Sequence, residues 1–158
     1  MSAPECGDEI SQRLVAAAYE TIAARYVVER HQIGAALLDA DGAVHFGLHL
    51  DAMVGRAAVC AEAGALSAAR LATSAPLVAV AAVRYPKPTE TAPARIVPPC
   101  GLCRELLLDY APGLAVVVTG TDGAGRLVSL AGLLPHKYVG TKWGAPAPAL
   151  AEHTRTAL

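Results

Sequence analysis

The chain of 158 residues is 54% hydrophobic and 17% charged, with a formal net charge of -1. Such a composition excludes a disordered chain and offers no basic stripe for a polyanion, so no nucleic-acid partner is expected. The length suits one domain spanning residues 1–158, and with so few charges to face water, part of the apolar surplus is expected to lie against other copies in a homo-oligomer.

No apolar run approaches the ~18 residues of a membrane span. Met1-Ser2-Ala3-Pro4-Glu5 lacks the basic and apolar regions of a signal peptide, so a cytoplasmic protein with no membrane partner is expected. Thiols stay reduced there, and clustered cysteines then point to metal or catalysis before disulfides.

Apolar residues recur at Leu14, Val15, Ala18, Tyr19, Ile22 and Tyr26, which predicts an amphipathic helix from about Ser11 to Tyr26. Ile33 to Leu38 is a continuous apolar run, and Asp41-Gly42 suits a tight turn. Val44, Phe46, Leu48 and Leu50 then alternate with Ala43, His45, Gly47 and His49, which predicts an antiparallel strand pair. Val59 to Leu71, rich in Ala and Leu, reads as a second helix. Leu77 to Val83 reads as a central strand buried on both faces, and the proline-rich stretch from Arg84 to Pro99 as a loop. Cys100 to Tyr110 has helical spacing and is stopped by Ala111-Pro112-Gly113. Strands are expected at Leu114 to Thr119 and Arg126 to Leu130, joined through Asp122-Gly123. The segment from about Gly140 to Leu158 has no clear period, as a partly mobile tail would.

This order predicts an α/β fold, a three-layer α/β/α sandwich around a five-stranded mixed sheet. Cys60-Ala61-Glu62 and Pro99-Cys100-Gly101-Leu102-Cys103-Arg104 each stand at the start of a predicted helix. If the two N-termini converge, their free N–H groups and partial positive charge favour thiolate over thiol.

Three thiolates, Cys60, Cys100 and Cys103, can hold Zn2+ tetrahedrally and leave its fourth position open, as catalytic sites do. A closed structural site is the other reading and needs a fourth protein ligand, for which His49 or His31 is available. Zinc with three thiolates carries a formal charge of -1, and Arg104 beside Cys103 is the cation expected to offset it by bonding a sulfur. Glu62 lies two residues after Cys60 and suits a proton shuttle that is not itself a ligand. Backbone N–H groups near Ala61 and Cys103 complete a set suited to hydrolysis of a C–N bond with loss of ammonia. The fourth cysteine, Cys6, reads as a bystander, and Trp143 as packing for the tail or an interface.

Cys-x-Glu followed by Pro-Cys-x-x-Cys resembles the signature of the zinc-dependent cytidine deaminase superfamily in its three-cysteine form. The likeness runs from about Tyr19 to Val139 and takes in Ile33 to Leu38, Phe46-Gly47 and Leu133-Leu134-Pro135. It implies a hydrolytic deaminase acting on a cytosine-like base or nucleoside, with zinc on the three cysteines and Glu62 as acid and base. It also implies a homotetramer, with a dimer as the smaller alternative. Cytidine deaminases usually carry Asn and Glu, which hold the ribose, where this chain has His49 and Asp51. A family aromatic is His31 here, and the Arg that usually follows the catalytic Glu is Ala63. His136-Lys137-Tyr138-Val139 is closer to the ending of blasticidin S deaminase, whose substrate is a cytosine nucleoside antibiotic. His49, Asp51, His31, Tyr138 and the Ala61 backbone are therefore the candidate substrate contacts. The rival from another class is a catalytically silent, zinc-stabilised oligomer that binds a ligand.

Overall fold

The structure, a computed structural model, describes residues 3, 4, 6 and 8–143. Asp8 caps the first helix by accepting from the Ser11 N–H at 2.8 Å and the Ser11 hydroxyl at 2.6 Å. That helix, α1 (Glu9–Arg25), buries Leu14, Val15, Ala18 and Ile22, the stripe its spacing predicts. Strands β1 (Ile33–Asp39) and β2 (Val44–Leu48) pair antiparallel, with Gly34 opposite Leu48 and Leu38 opposite Val44. Asp39 shapes their turn, accepting from the N–H groups of Asp41 and Ala43 and from His45 Nε2. Gly42 takes the positive φ of 87° that the turn requires.

Helix α2 (Ala61–Ala72) follows, then β3 (Leu77–Arg84), a two-residue β4 (Arg95–Ile96), α3 (Gly101–Tyr110), β5 (Ala115–Thr119) and β6 (Gly125–Ser129). The sheet runs β2-β1-β3-β5-β6, with β4 pairing β3 off that path. β1 is antiparallel to both β2 and β3, while β5 lies parallel to β3. The sheet is therefore mixed, as expected, with a sixth, very short strand inside the stretch read as a loop. Two residues flanked by prolines are too short for a period to announce them.

Alternation sorts the central strands between two cores. Ala35 and Leu37 of β1 and Val80 and Ala82 of β3 pack with α2 and α3, through Ala65, Leu66, Ala69, Leu107 and Leu108. Ala36, Leu38, Ala79, Ala81 and Val83 face α1. This is the expected three-layer arrangement. Glycines let both helix layers come close: a Cβ on Gly34 would lie 2.5 Å from the carbonyl oxygen of Ala18, and one on Gly47 would collide with the backbone of Ala61 and Ala65. Among the described residues no helix is long and apolar enough to cross a membrane. Of the tail read from Gly140, residues 144–158 lie outside the described residues.

Candidate active site

Because β1 runs antiparallel to both its neighbours, β2 and β3 point the same way and end at the same end of the sheet. The chain leaving each of them leads to a helix on the same face, so α2 and α3 both start near that end. Each begins on a cysteine: Cys60 is the N-cap of α2 and Cys100 the N-cap of α3, both in extended backbone conformation. Cys60 makes no side-chain capping bond, which leaves its sulfur free to face the partner helix.

The two N-cap sulfurs stand 3.7 Å apart, and with Cys103 Sγ all three lie within 4.8 Å of one another. Tetrahedral zinc with Zn–S bonds of about 2.3 Å requires sulfurs about 3.8 Å apart. The donor set fits that ion. Neither His31 nor His49 joins the cluster, so among the described residues no fourth protein ligand closes it. The residues therefore match an open site better than a closed structural one.

Glu62, in the first turn of α2, is 5% exposed, and Cys103 Sγ donates to its Oε2 at 3.7 Å. Burial pushes the Glu62 carboxyl above the usual range. Burial and the charge of Glu62 push the Cys103 thiol up, while burial and the neighbouring Cys100 thiol do the same to Cys60. Cys100 moves the other way: burial alone would raise it, but the Cys103 backbone N–H and the Cys103 and Cys60 thiols together lower it. Of the three thiols, Cys100 is thus the one whose surroundings ease proton loss, and a bound cation would favour the thiolate at all three.

The other candidates are placed as follows. Ala61 is the buried first residue of α2, where an N–H has no acceptor within its own helix. Leu50 and Val59 exchange backbone bonds of 3.0 and 2.9 Å, which lays the His49–Asp51 segment beside the residue preceding Cys60. His31 Nδ1 donates to the His49 carbonyl at 3.0 Å, and the Asp51 N–H donates to Arg30. His49 Nδ1 is buried without a partner among the described residues. Asp51 is exposed and caps its neighbour Ala52. Tyr138 is 80% exposed. Arg104, expected on a sulfur, directs Nε to the carbonyl of Pro99 and Nη1 to that of Leu133, each at 2.9 Å.

At two positions named above, Gly47 and Lys137, the structural role was not legible in the sequence. Gly47 lets the first turn of α2 rest on β2, and a glycine inside an alternating strand was the available signal. Lys137 straps the following segment to α3 through Asp109 at 2.7 Å and Glu105 at 3.1 Å, contacts between distant residues that no local pattern reveals.

No protein-family model matches the chain. It is 38% identical over 128 residues to a blasticidin-S deaminase of Bacillus cereus, covering 79% of this chain and 89% of that protein. It is 33% identical over 129 residues to a cytidine deaminase of Halalkalibacterium halodurans, covering 80% and 92% respectively. Among solved structures it resembles the cytidine deaminase of Mycobacterium tuberculosis with a TM-score of 0.65 and 27% identity, over 84% of this chain and 99% of that one. Identity at this level along most of the chain, on a shared fold, reflects common descent: the chain belongs to the zinc-dependent cytidine deaminase superfamily, whose members hydrolyse C–N bonds.

Proposed function

We propose that this chain is a zinc-dependent hydrolytic deaminase that removes the exocyclic amine of a cytosine-like base or nucleoside. The observation that carries the reading is the meeting of three sulfurs with a buried carboxylate and no fourth protein ligand among the described residues. Cys60, Cys100 and Cys103 would hold the ion. When bound, zinc supplies the Lewis acidity that makes water a nucleophile near neutral pH. Glu62 takes a proton from the attacking water at its carboxylate and returns protons to the ring nitrogen and the departing amine. Water's oxygen ends on the ring carbon and the amine leaves as ammonia, so atoms balance. The first-turn N–H of Ala61 is free to orient the substrate.

Two lines favour a nucleoside of the blasticidin S kind over cytidine. The Bacillus cereus relative is a blasticidin-S deaminase, and His49 and Asp51 stand where cytidine deaminases carry Asn and Glu. His31 and Tyr138 belong to the same reading as further substrate contacts, and the setting is cytoplasmic. Assembly as a homotetramer, with a dimer as the smaller alternative, is supported by apolar side chains left bare in one copy, such as Met53 at 100% and Leu102 at 81% exposure.

The test is ammonia release from the purified, zinc-loaded protein offered cytidine, deoxycytidine, blasticidin S, cytosine, guanine and amino-triazines. Silence on all of them with zinc bound sinks the proposal. Glu62→Gln separates enzyme from silent binder: turnover should fall ~10^2- to 10^4-fold while zinc is retained, the usual effect of losing a general acid–base group.

A further inference from the structure

The expected charge partner of the sulfurs is engaged elsewhere. Three thiolates around one zinc leave a net negative site, and the residue after Glu62, usually Arg in this family, is Ala63. Arg104 is the nearest remaining candidate in sequence, yet the bonds of its guanidinium run to carbonyls: Nε to Pro99 and Nη1 to Leu133. Pro99 immediately precedes Cys100, and Leu133 ends the short 3-10 turn Ala131–Leu133 that follows β6. One planar fork therefore ties the chain entering α3 to the chain leaving the sheet. Its root is the residue beside Cys103, whose side chain is 2% exposed.

Cys100 is tied to its helix through its own carbonyl, which accepts from the Arg104 N–H at 2.9 Å, and the chain on its other side is packed by the buried Pro99 ring but makes no helix bond. Cys100 caps α3 from an extended conformation after a proline-rich stretch, and Pro99 has no N–H with which to anchor itself. Cys103 is fixed by the helix, whereas the direction of Cys100 Sγ depends on where the Pro99 peptide lies. We propose that Arg104 is a positioning residue: by holding the carbonyls of Pro99 and Leu133, it aims Cys100 Sγ at Cys60 and Cys103 through geometry and not by lending its charge to the sulfurs. The charge of the site is then met by the N-termini of α2 and α3. The proposal rests on the reading of the cluster as a zinc centre.

The two roles separate on substitution. A lysine keeps the charge but donates all its N–H groups from one compact ammonium, which lacks the fixed separation of Nε and Nη1 by which the planar fork reaches the Pro99 and Leu133 carbonyls. The experiment loads the full-length wild type, Arg104→Lys, Arg104→Gln and Lys137→Met with zinc and measures release to excess chelator. The Lys137 variant removes another polar tie between α3 and this segment, and so controls for general loosening. Both Arg104 variants should shed zinc about 10-fold faster or more, the usual effect of removing support behind a ligand, and Lys137→Met should stay near wild type. Wild-type retention by Arg104→Lys would assign the role to charge, wild-type retention by Arg104→Gln would leave it no role, and equal loss from Lys137→Met would reduce it to stability. Each overturns the proposal. Should neither Arg104 variant fold, nitrogen-15 spectra of the zinc-loaded wild type decide: a slowly exchanging Arg104 Nε–H supports the clamp, and fast exchange refutes it. A wild type that takes up no zinc fails the reading of the site, whereas a wild type and Arg104→Gln that hold zinc alike fail only the clamp.

Discussion

Two glycines on one contact, Gly47 in β2 and Gly64 in α2, test how the sheet seats the helix that carries Cys60 and Glu62. A Cβ on Gly47 would run into the carbonyl oxygen of Ala61 and the amide nitrogen of Ala65, and would lie 3.0 Å from Ala65 Cα. All three are backbone atoms, so no side chain can swing aside. Ordinary contacts lie near 3.5 Å, and α2 would have to retreat by about 1 Å or more. Overpacking costs about 1–3 kcal/mol, and a shift of a whole helix belongs at the upper end, so Gly47→Ala should lower the melting temperature by about 10 °C. The retreat also carries Cys60 and Glu62 away from α3, and a misplacement of about 1 Å can cost ~10^2-fold in turnover. On the other side of the same contact, a Cβ on Gly64 would meet Gly47 Cα at 3.6 Å and Leu48 N at 3.7 Å, which is ordinary packing. Gly64 sits inside α2, so Gly64→Ala should stabilise by about 0.5–1 kcal/mol through helix propensity. Thermal denaturation of the two variants, with turnover on whichever substrate the wild type accepts, checks both signs. A Gly47→Ala protein melting within about 2 °C of wild type, or a Gly64→Ala protein melting below it, would refute this account of the seat.

Two further outcomes follow from particular side chains. The hydrogen bond from His45, with those from the backbone of the turn, holds the Asp39 carboxyl below its usual range. Its contribution is therefore fully present above the unfolded value of about 3.9 and is lost as pH falls through the lowered one, so Asp39→Asn should melt lower at neutral pH and lose less stability than wild type on acidification below pH ~4. Cys60 occupies an N-cap without capping, so Cys60→Ser should raise zinc-free stability by up to about 1 kcal/mol yet lose most of the protection that zinc is expected to give the wild type. Melting curves with and without zinc should then cross over between the two proteins, and a serine variant less stable than wild type in the zinc-free state refutes the reasoning.

Local rules made most elements legible, and the departures have local causes. Alternation placed β2 correctly but ran on to Leu50, whereas the strand stops at Leu48 and Leu50 pairs instead with Val59. Helical composition drew α2 back to Val59, although Cys60 is its cap, because Val and Cys carry no stop signal of their own. The cysteine and glutamate cluster was legible because its spacing is tied to two helix starts, a local feature. The partners of Arg104 were not: sequence ranks it by proximity to sulfur and charge, while its bonds go to carbonyls, which every residue carries and none advertises.

Convergence of the site follows from strand direction and needs no long-range recognition between the two cysteine motifs. With β1 lying between β2 and β3 and antiparallel to both, the exits of those strands lie together, and the entry to β1 lies with them. That geometry gathers the loop bearing His31, the segment from His49 to Asp51 and both helix N-termini at one end of the sheet. Reversing either pairing would separate the motifs whatever their spacing in sequence. The site accordingly depends on the Asp39-locked turn between β1 and β2, because that turn fixes the register of the pair from which α2 departs.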